Sequence, residues 1–409
     1  MPGTLVKTIK TDEDKKQVID FTDKEGKTIL RKVQVLPNII DDGTTGSGHL
    51  DWLCTYYLYD DLGNLRCTIQ PAGVKSIQPS WSLIDATLLA EQCFRYEYDD
   101  RNRITLKKVA GSGEVWMVYD KWDRLVLTQD ANLRVQNKWL FTKYDNQNRP
   151  IVTGFYTYTA ASQKIMQDFL NSQTSLLRFE TYTTTTFPLY SLNQSFPIVT
   201  SADVLTCTYY DNYGWAASYS TYASKDDSFD SQFSNASNSV YPYPQSVASS
   251  ALTRGLITGQ WKNSDGGLIT ALFYDEKGRV IQAKSRNFTG GIDISTTQYD
   301  WSGKVLRTYV KHEKAGTNAQ VHNILSKIDY DDMARVLTIK KQVNTGTEKT
   351  VVSNIYDALG QLKTKTLGSA LETLNFDYNI RGWLLGTNRD FLSVPSSESN
   401  WFGFEVAYL

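Results

Sequence analysis

The sequence predicts an all-β fold in which antiparallel β-hairpins are joined side by side into a curved sheet, with a few short helices in insertions. A short unit, Tyr-Asp-x-x-Gly-Arg-apolar, recurs along the 409 residues. Its copies are mostly 20 to 30 residues apart, enough for two strands of about 5 to 8 residues and two turns. Aromatic residues make up 12% of the chain, with 25 Tyr and 10 Trp, as cross-strand packing in such a sheet favours.

The clearest copy is Tyr274-Asp275-Glu276-Lys277-Gly278-Arg279-Val280. Tyr274 ends one β-rich run, Asp275 can accept hydrogen bonds from amides two residues on, and Gly278 stands where a type I turn with a bulge needs positive φ. Gly303 and Gly360 stand at the same place and carry the same expectation. The other corners begin at Tyr59-Asp60, Tyr98-Asp99, Tyr119-Asp120, Tyr144-Asp145, Tyr210-Asp211, Tyr299-Asp300, Tyr330-Asp331, Tyr356-Asp357 and Tyr378-Asn379. Their fifth positions are Gly63, Asn102, Asp123, Asn148, Gly214, Gly303, Ala334, Gly360 and Gly382. All but Ala334 tolerate left-handed backbone well.

Taken in order, the chain opens with strand-like runs and turns over Leu5 to Lys10, Asp12 to Lys16 and Gln17 to Thr22. A degenerate corner at Asp23 to Lys27 and a strand from Thr28 to Val35 follow. Pro37 to His49, with its Asp-Asp-Gly and Gly-Ser-Gly runs, reads as a flexible loop. The insertion between Pro71 and Phe94 contains a short helix over Ala86 to Glu91 capped by Asp85. Corner spacing lengthens to 66 residues after Tyr144 and 64 after Tyr210, so both intervals hold additions. In the first, Ile165, Met166, Phe169 and Leu170 fall on one face of a helix spanning Ser162 to Asn171, and Thr181 to Thr186 reads as strand. The second, Ser218 to Ser250, is rich in Ser, Asn and Asp and reads as an excursion and candidate contact surface. The chain therefore divides into N-terminal hairpins over 1–150, an insertion-rich segment over 151–270 and C-terminal hairpins over 271–409.

Forty-three basic against 44 acidic residues give a formal net charge of −1, which supplies no electrostatic footprint for nucleic acid or an anionic membrane. No apolar run has the length of a membrane span. Cys54, Cys67, Cys93 and Cys207 are too few for a disulfide framework and read as free thiols. Pairing through Tyr59 and Leu65 sets Cys54 opposite Gln70 instead of Cys67.

Chemistry-bearing patterns are sparse. His49, His312 and His322 have no partner at a metal-binding interval, and the last two read as surface-turn residues. Asp60-Asp61, Asp99-Asp100, Asp226-Asp227 and Asp331-Asp332 resemble glycosidase carboxylates only superficially, because adjacent residues point to different sides. No phosphate-binding loop or nucleophile elbow occurs. Trp116, Trp122, Trp261 and Trp301 could stack on sugars or pack within the sheet. The sequence thus leads us to expect no catalytic residue, cofactor or metal.

The Tyr-Asp unit resembles the YD repeat of the RHS family, from Thr22-Asp23-Lys24-Glu25-Gly26-Lys27 to Tyr378. Glu91 to Asp99 and Tyr378 to Leu384 further resemble the RHS proteins of Bacteroidetes. The resemblance implies part of the wall of a hollow β-shell that encloses a polypeptide such as a toxin. It also implies an extracellular or cell-surface setting. Partners would be the rest of a longer parent chain or an enclosed cargo, with secretion machinery or surface glycans as further candidates. The chain has no Asp-Pro, so the family's self-cleavage region is not represented. An alternative is an adhesion or carbohydrate-binding module working through exposed aromatics. The alternation of Phe402, Phe404, Val406 and Tyr408 leads us to expect a fragment of a longer wall, its final strand covered by another chain, paired in an oligomer or crystal contact, or poorly ordered in isolation.

Overall fold

The computed structural model describes residues 5–36, 49, 51–78, 81, 85–184, 186–233, 243–264, 266–393 and 400–408. The proposed loop at 37–48 and residues 234–242 of the Ser218 to Ser250 excursion lie outside the described residues. The chain forms two compact units, the first comprising Met1–Tyr182 and Tyr190–Val204, the second Thr183–Leu189 and Leu205–Leu409.

The first unit carries strands β1 (Val6–Thr11), β2 (Gln17–Thr22), β3 (Thr28–Gln34), β4 (Trp52–Tyr59), β5 (Leu65–Ile69) and β6 (Cys93–Tyr98). It continues with β7 (Ile104–Lys108), β8 (Glu114–Tyr119), β9 (Leu125–Gln129), β10 (Lys138–Tyr144) and β11 (Pro150–Thr157). Each pairs antiparallel with its neighbour in sequence. Among the described residues, no pairing joins β1 to β11, so this sheet is not closed on itself.

The second unit begins with β12 (Val204–Tyr210) at its boundary, then β13 (Ile257–Lys262), β14 (Leu268–Tyr274), β15 (Val280–Arg286), β16 (Ile292–Tyr299), β17 (Val305–Lys314) and β18 (Gln320–Tyr330). After these come β19 (Val336–Val343), β20 (Lys349–Tyr356), β21 (Leu362–Leu367), β22 (Glu372–Tyr378), β23 (Leu384–Thr387) and β24 (Phe404–Glu405). These again pair antiparallel in chain order. The all-β hairpin class expected from the repeats is therefore the observed one.

The helices extend beyond the two expected neighbourhoods. They are α1 (Pro71–Ile77), α2 (Ala86–Glu91), α3 (Ala131–Val135), α4 (Gln163–Ser172) and α5 (Arg389–Ser393). Pro71 opens α1, where a missing N–H costs nothing. Asp85 caps α2 by accepting from the Thr87 and Leu88 amides. Val74, Ile77 and Leu88 join Ile19, Trp52, Ile69 and Cys93 in a core cluster, so these helices cover one part of the first sheet. In α4, capped by Ser162, Met166 and Leu170 are buried. Ile165 departs from expectation and is 48% exposed. Phe169 stacks on Tyr158 with ring centroids 4.5 Å apart. Strand structure over Thr181 to Thr186 reduces, among the described residues, to a single bridge between Tyr182 and Tyr190.

Two further expectations are corrected. A bulge between Leu58 and Tyr59 shifts the β4–β5 register by one residue, so Tyr56 faces Ile69 and the inferred Cys54–Gln70 pairing is lost. Cys54 instead faces Lys32 on β3. All four cysteines are free. His312 and His322 are not in turns; they face one another on β17 and β18, and His312 Nδ1 lies 2.7 Å from Asp293 Oδ1. The final strand pairs through Phe404 with Thr387 and through Glu405 with Gly386.

The corner backbone is as expected: φ is +73° at Gly278, +100° at Gly303 and +83° at Gly360. Ala334 adopts the same conformation at +65°. Gly360→Val should destabilise the second unit by about 1 to 3 kcal/mol. Ala358→Val in the same turn should cost much less, and Ala334→Gly should stabilise by about 1 kcal/mol by relieving left-handed strain. Urea denaturation of the three variants checks the set, and equal losses at 358 and 360 would contradict the turn assignment.

Candidate functional site

The candidate site is the array of corners. At each typical corner the Asp N–H donates to the carbonyl four residues on, as from Asp99 to Arg103 and Asp275 to Arg279, both at 3.0 Å. The fifth residue donates back to the Asp carbonyl, closing the turn. One carboxylate oxygen accepts two more amides. Asp145 Oδ1 takes those of Gln147 and Arg149, both at 2.9 Å, and Asp357 Oδ1 takes those of Leu359 at 2.9 Å and Gln361 at 2.8 Å. Asp60 holds the Leu62 and Asn64 amides in the same way. The other oxygen takes the Arg side chain: Arg103 Nε to Asp99 at 2.8 Å, Arg124 to Asp120 at 2.8 Å, Arg149 to Asp145 at 2.7 Å, Arg279 to Asp275 and Arg335 to Asp331 both at 2.6 Å. Asp300 substitutes Lys304 Nζ at 3.0 Å and the Ser302 hydroxyl. At Tyr378 the Asn379 carboxamide accepts the Arg381 and Trp383 amides.

These contacts set the electrostatics. Burial pushes the Asp99 carboxyl up, but the Arg103 guanidinium and the turn amides outweigh it and hold the group below its ordinary range. Asp331 is lowered against the same desolvation by Arg335, and Asp60 is lowered first by the Asn64 amide.

The Tyr residues join one hairpin to the next. At most corners the hydroxyl donates to the carbonyl of the apolar residue that opens the return strand of the preceding corner. Tyr98 reaches Leu65 at 3.0 Å, Tyr119 reaches Ile104 at 2.9 Å and Tyr144 reaches Leu125 at 2.7 Å. In the second unit Tyr299 reaches Val280, Tyr330 Val305, Tyr356 Val336 and Tyr378 Leu362, all within 3.1 Å. Tyr59 reaches Thr28 of the degenerate copy, and Tyr408 reaches Leu384. The corner Arg also lies over the following Tyr ring: Arg103 is 4.6 Å from the Tyr119 centroid, Arg124 4.6 Å from Tyr144, Arg279 4.7 Å from Tyr299 and Arg335 4.4 Å from Tyr356. The Arg in the repeat thus has two tasks, its own Asp and its neighbour's Tyr.

One corner differs from its sequence assignment. Gly214 is the first residue of a 3-10 turn, Gly214–Ser218, and does not close the Tyr210-Asp211 corner. Gly255 closes it, at φ +85°. Asp211 N–H donates to Leu256 O at 3.0 Å, and Gly255 N–H donates to Asp211 Oδ1 at 2.6 Å. The rung is completed by Tyr274, whose hydroxyl donates to Ile257 O. Residues 212–254 are therefore an insertion inside a corner. Its sequence signal is a return half, Gly255-Leu256-Ile257, with no Tyr-Asp before it.

Asp60, Asp99 and Asp331 are each held by their own turns. Among the described residues no group of three or more His, Cys, Asp and Glu is placed to hold a metal. Of the candidate sugar-stacking rings, Trp116 is buried, with the Arg134 guanidinium 3.7 Å from its centroid. Trp261 meets Phe187 at 4.5 Å, and Trp122 and Trp301 carry Lys121 and Lys277 at 4.6 and 4.5 Å. A cavity of about 170 Å³ beside the Asp120 corner is walled by Trp122, Tyr144, Leu170, Leu177 and Phe196. Its carboxylate, Asp120, is already bound by the Trp122 and Arg124 amides and the Arg124 side chain.

Sequence reasoning missed a buried pair beside this cavity. Lys143 and Glu180 are both fully buried, 2.6 Å apart. Glu180 also accepts from the Ser195 amide and hydroxyl and the Ser191 hydroxyl, and Lys143 donates to Ser195 O at 2.9 Å. The signal was Lys143 in the alternation of Trp139 and Phe141, where a strand should show its core face.

No protein-family model matches the chain, and no curated protein matches it. Solved structures do. A mutant Photorhabdus luminescens Tc holotoxin pore aligns at 12% identity and TM-score 0.38, over 92% of this chain and 17% of that one. A TcdB2-TccC3-Cdc42 crystal structure aligns at 12% identity and TM-score 0.38, and TcdB2-TccC3 without its hypervariable C-terminal region at 13% and 0.36. The chain spans 18% of the length of each of these two.

Proposed function

We propose that this chain is a non-catalytic RHS/YD-repeat scaffold, a stretch of β-shell wall that encloses or displays a polypeptide such as a toxin outside the cell or at its surface. The observation that carries this reading is the use of the repeat residues themselves. At the corners the Asp closes its own turn, the Arg clamps that Asp and stacks on the next Tyr, and the Tyr hydroxyl binds the previous hairpin. A residue set used for joining neighbours is what a wall requires, and no acid–base or nucleophile constellation emerges from it. The partner is a polypeptide, either further parent chain or cargo.

The test is an unstructured, protease-sensitive reporter fused to the chain. Cleavage is expected to slow by about tenfold relative to the free reporter, with photocrosslinks from the reporter to sheet residues. Cleavage at the free rate with no crosslinks would overturn the proposal. Saturable glycan-array binding in that same protein would favour the adhesion alternative.

A further inference from the structure

We infer that the face of β15–β18 in the second unit is a binding face for a polypeptide segment that carries a short turn, and that residues 226–233 and 245–250 of the insertion between Asp211 and Gly255 are its resident occupant. The class of occupant rests on the scaffold reading above; the site and its selectivity come from the contacts described next.

The sheet holds this insertion chiefly by its main chain. Gln282 is fully buried, and its carboxamide accepts from Asp226 N–H and donates to Asp226 O, both at 2.8 Å. That is the pair of bonds a neighbouring strand makes. Gln298, 1% exposed, donates to Gln245 O at 3.0 Å, and Arg307 donates to Gln232 O at 2.9 Å. At the corners Gln245 N–H reaches Tyr299 O at 2.8 Å and Ser250 N–H reaches Tyr274 O at 2.7 Å. Register places Gln282, Thr296, Tyr309 and Leu325 side by side on one face.

Contacts made to peptide groups are indifferent to side-chain identity. Specificity comes from an apolar seat, where Phe229 stacks on Tyr309 at 4.4 Å and Phe233 and Val247 join Tyr309 and Leu325 in one buried cluster. A buried carboxamide without a partner is costly. Gln282 Nε2 also donates to the Thr296 hydroxyl within the sheet, so it is the Gln282 oxygen that marks a face built to receive a peptide N–H. The partner that fits is a segment with two aromatic residues four positions apart across a 3-10 turn, as Asp230–Gln232 separates Phe229 from Phe233, admitted when the insertion leaves.

The experiment uses the full chain carrying Phe229→Ala and Phe233→Ala, and a labelled synthetic peptide with the sequence of Tyr222–Phe233. Fluorescence anisotropy should show saturable binding to the variant and about tenfold weaker binding to the unsubstituted chain, whose face is occupied. The peptide with both Phe replaced by Ala should not bind. No binding to a variant with an unchanged strand spectrum, or equal binding to both chains, overturns the inference. A second variant guards against misfolding of the first. Gln282→Leu removes a main-chain hook and leaves the aromatic seat, and should accelerate amide exchange in 222–233 by about tenfold without changing β15–β18. Unchanged exchange there also overturns the inference. If these results fail while a fused reporter stays shielded, the inference falls alone; if the reporter is also unshielded, the scaffold reading falls with it.

Discussion

Lys143→Met is expected to destabilise the first unit by about 3 to 5 kcal/mol, because it strands the Glu180 carboxylate in a fully buried site. Ser191, Ser195 and Gln194 would still donate to it, yet none carries a charge. Replacing both members, Lys143→Met with Glu180→Leu, should recover much of the loss, since an apolar pair of similar volume avoids desolvating two ions. The measurement is urea denaturation followed by amide exchange in β10, and equal stability of the single and double variants would contradict the argument. The pair also fixes the sign of an acid effect. Burial raises the Glu180 carboxyl, but the Lys143 ammonium and the hydroxyl and amide donors prevail and hold it below its ordinary 4.5. Its contribution is therefore complete above the unfolded value and is lost as pH falls below 4.5 through the folded one.

Trp215→Ala should cost the second unit about 3 to 5 kcal/mol. Trp215 is 1% exposed, stacks on Tyr209 with centroids 5.0 Å apart and planes 9° apart, and donates its indole N–H to Thr258 Oγ1 at 3.1 Å. A Cβ placed on Gly259 would lie 2.3 Å from the indole, so the ring rests against bare backbone. Gly259→Ala should destabilise the unsubstituted chain, and the penalty should shrink markedly once Trp215 is Ala. A double-mutant cycle by thermal denaturation reads this coupling, and additive losses would show that the ring and the glycine do not share the space.

The corners were legible in the sequence because their chemistry is local. Asp300, Gly303 and Lys304 lie within five consecutive residues, and the roles of acid, left-handed residue and base recur with the same spacing at Asp275, Gly278 and Arg279. The Asp85 cap was legible for the same reason. What was not legible depends on distant residues meeting. Glu180 is 37 residues from Lys143, and Gly255 is 44 from Asp211. Gly214 stood at the expected interval and satisfied the pattern, but the chain turns into a 3-10 segment there because Trp215 leaves to pack on Tyr209. The facing of His312 and His322 follows from strand register, which the bulges shift by single residues and the local sequence does not reveal.

The hydroxyls of Tyr299, Tyr330, Tyr356, Tyr378 and Tyr408 in the second unit each reach back by one hairpin. A pulling force applied at its C-terminal side therefore loads one rung at a time: Tyr408 on Leu384, then Tyr378 on Leu362, then Tyr356 on Val336. Nearest-neighbour coupling of this kind makes extension a run of small, similar ruptures, the chain lengthening by one hairpin at each. Such a sheet can yield at its margin under tension and seal again when the load is removed, while strands farther in keep their pairing.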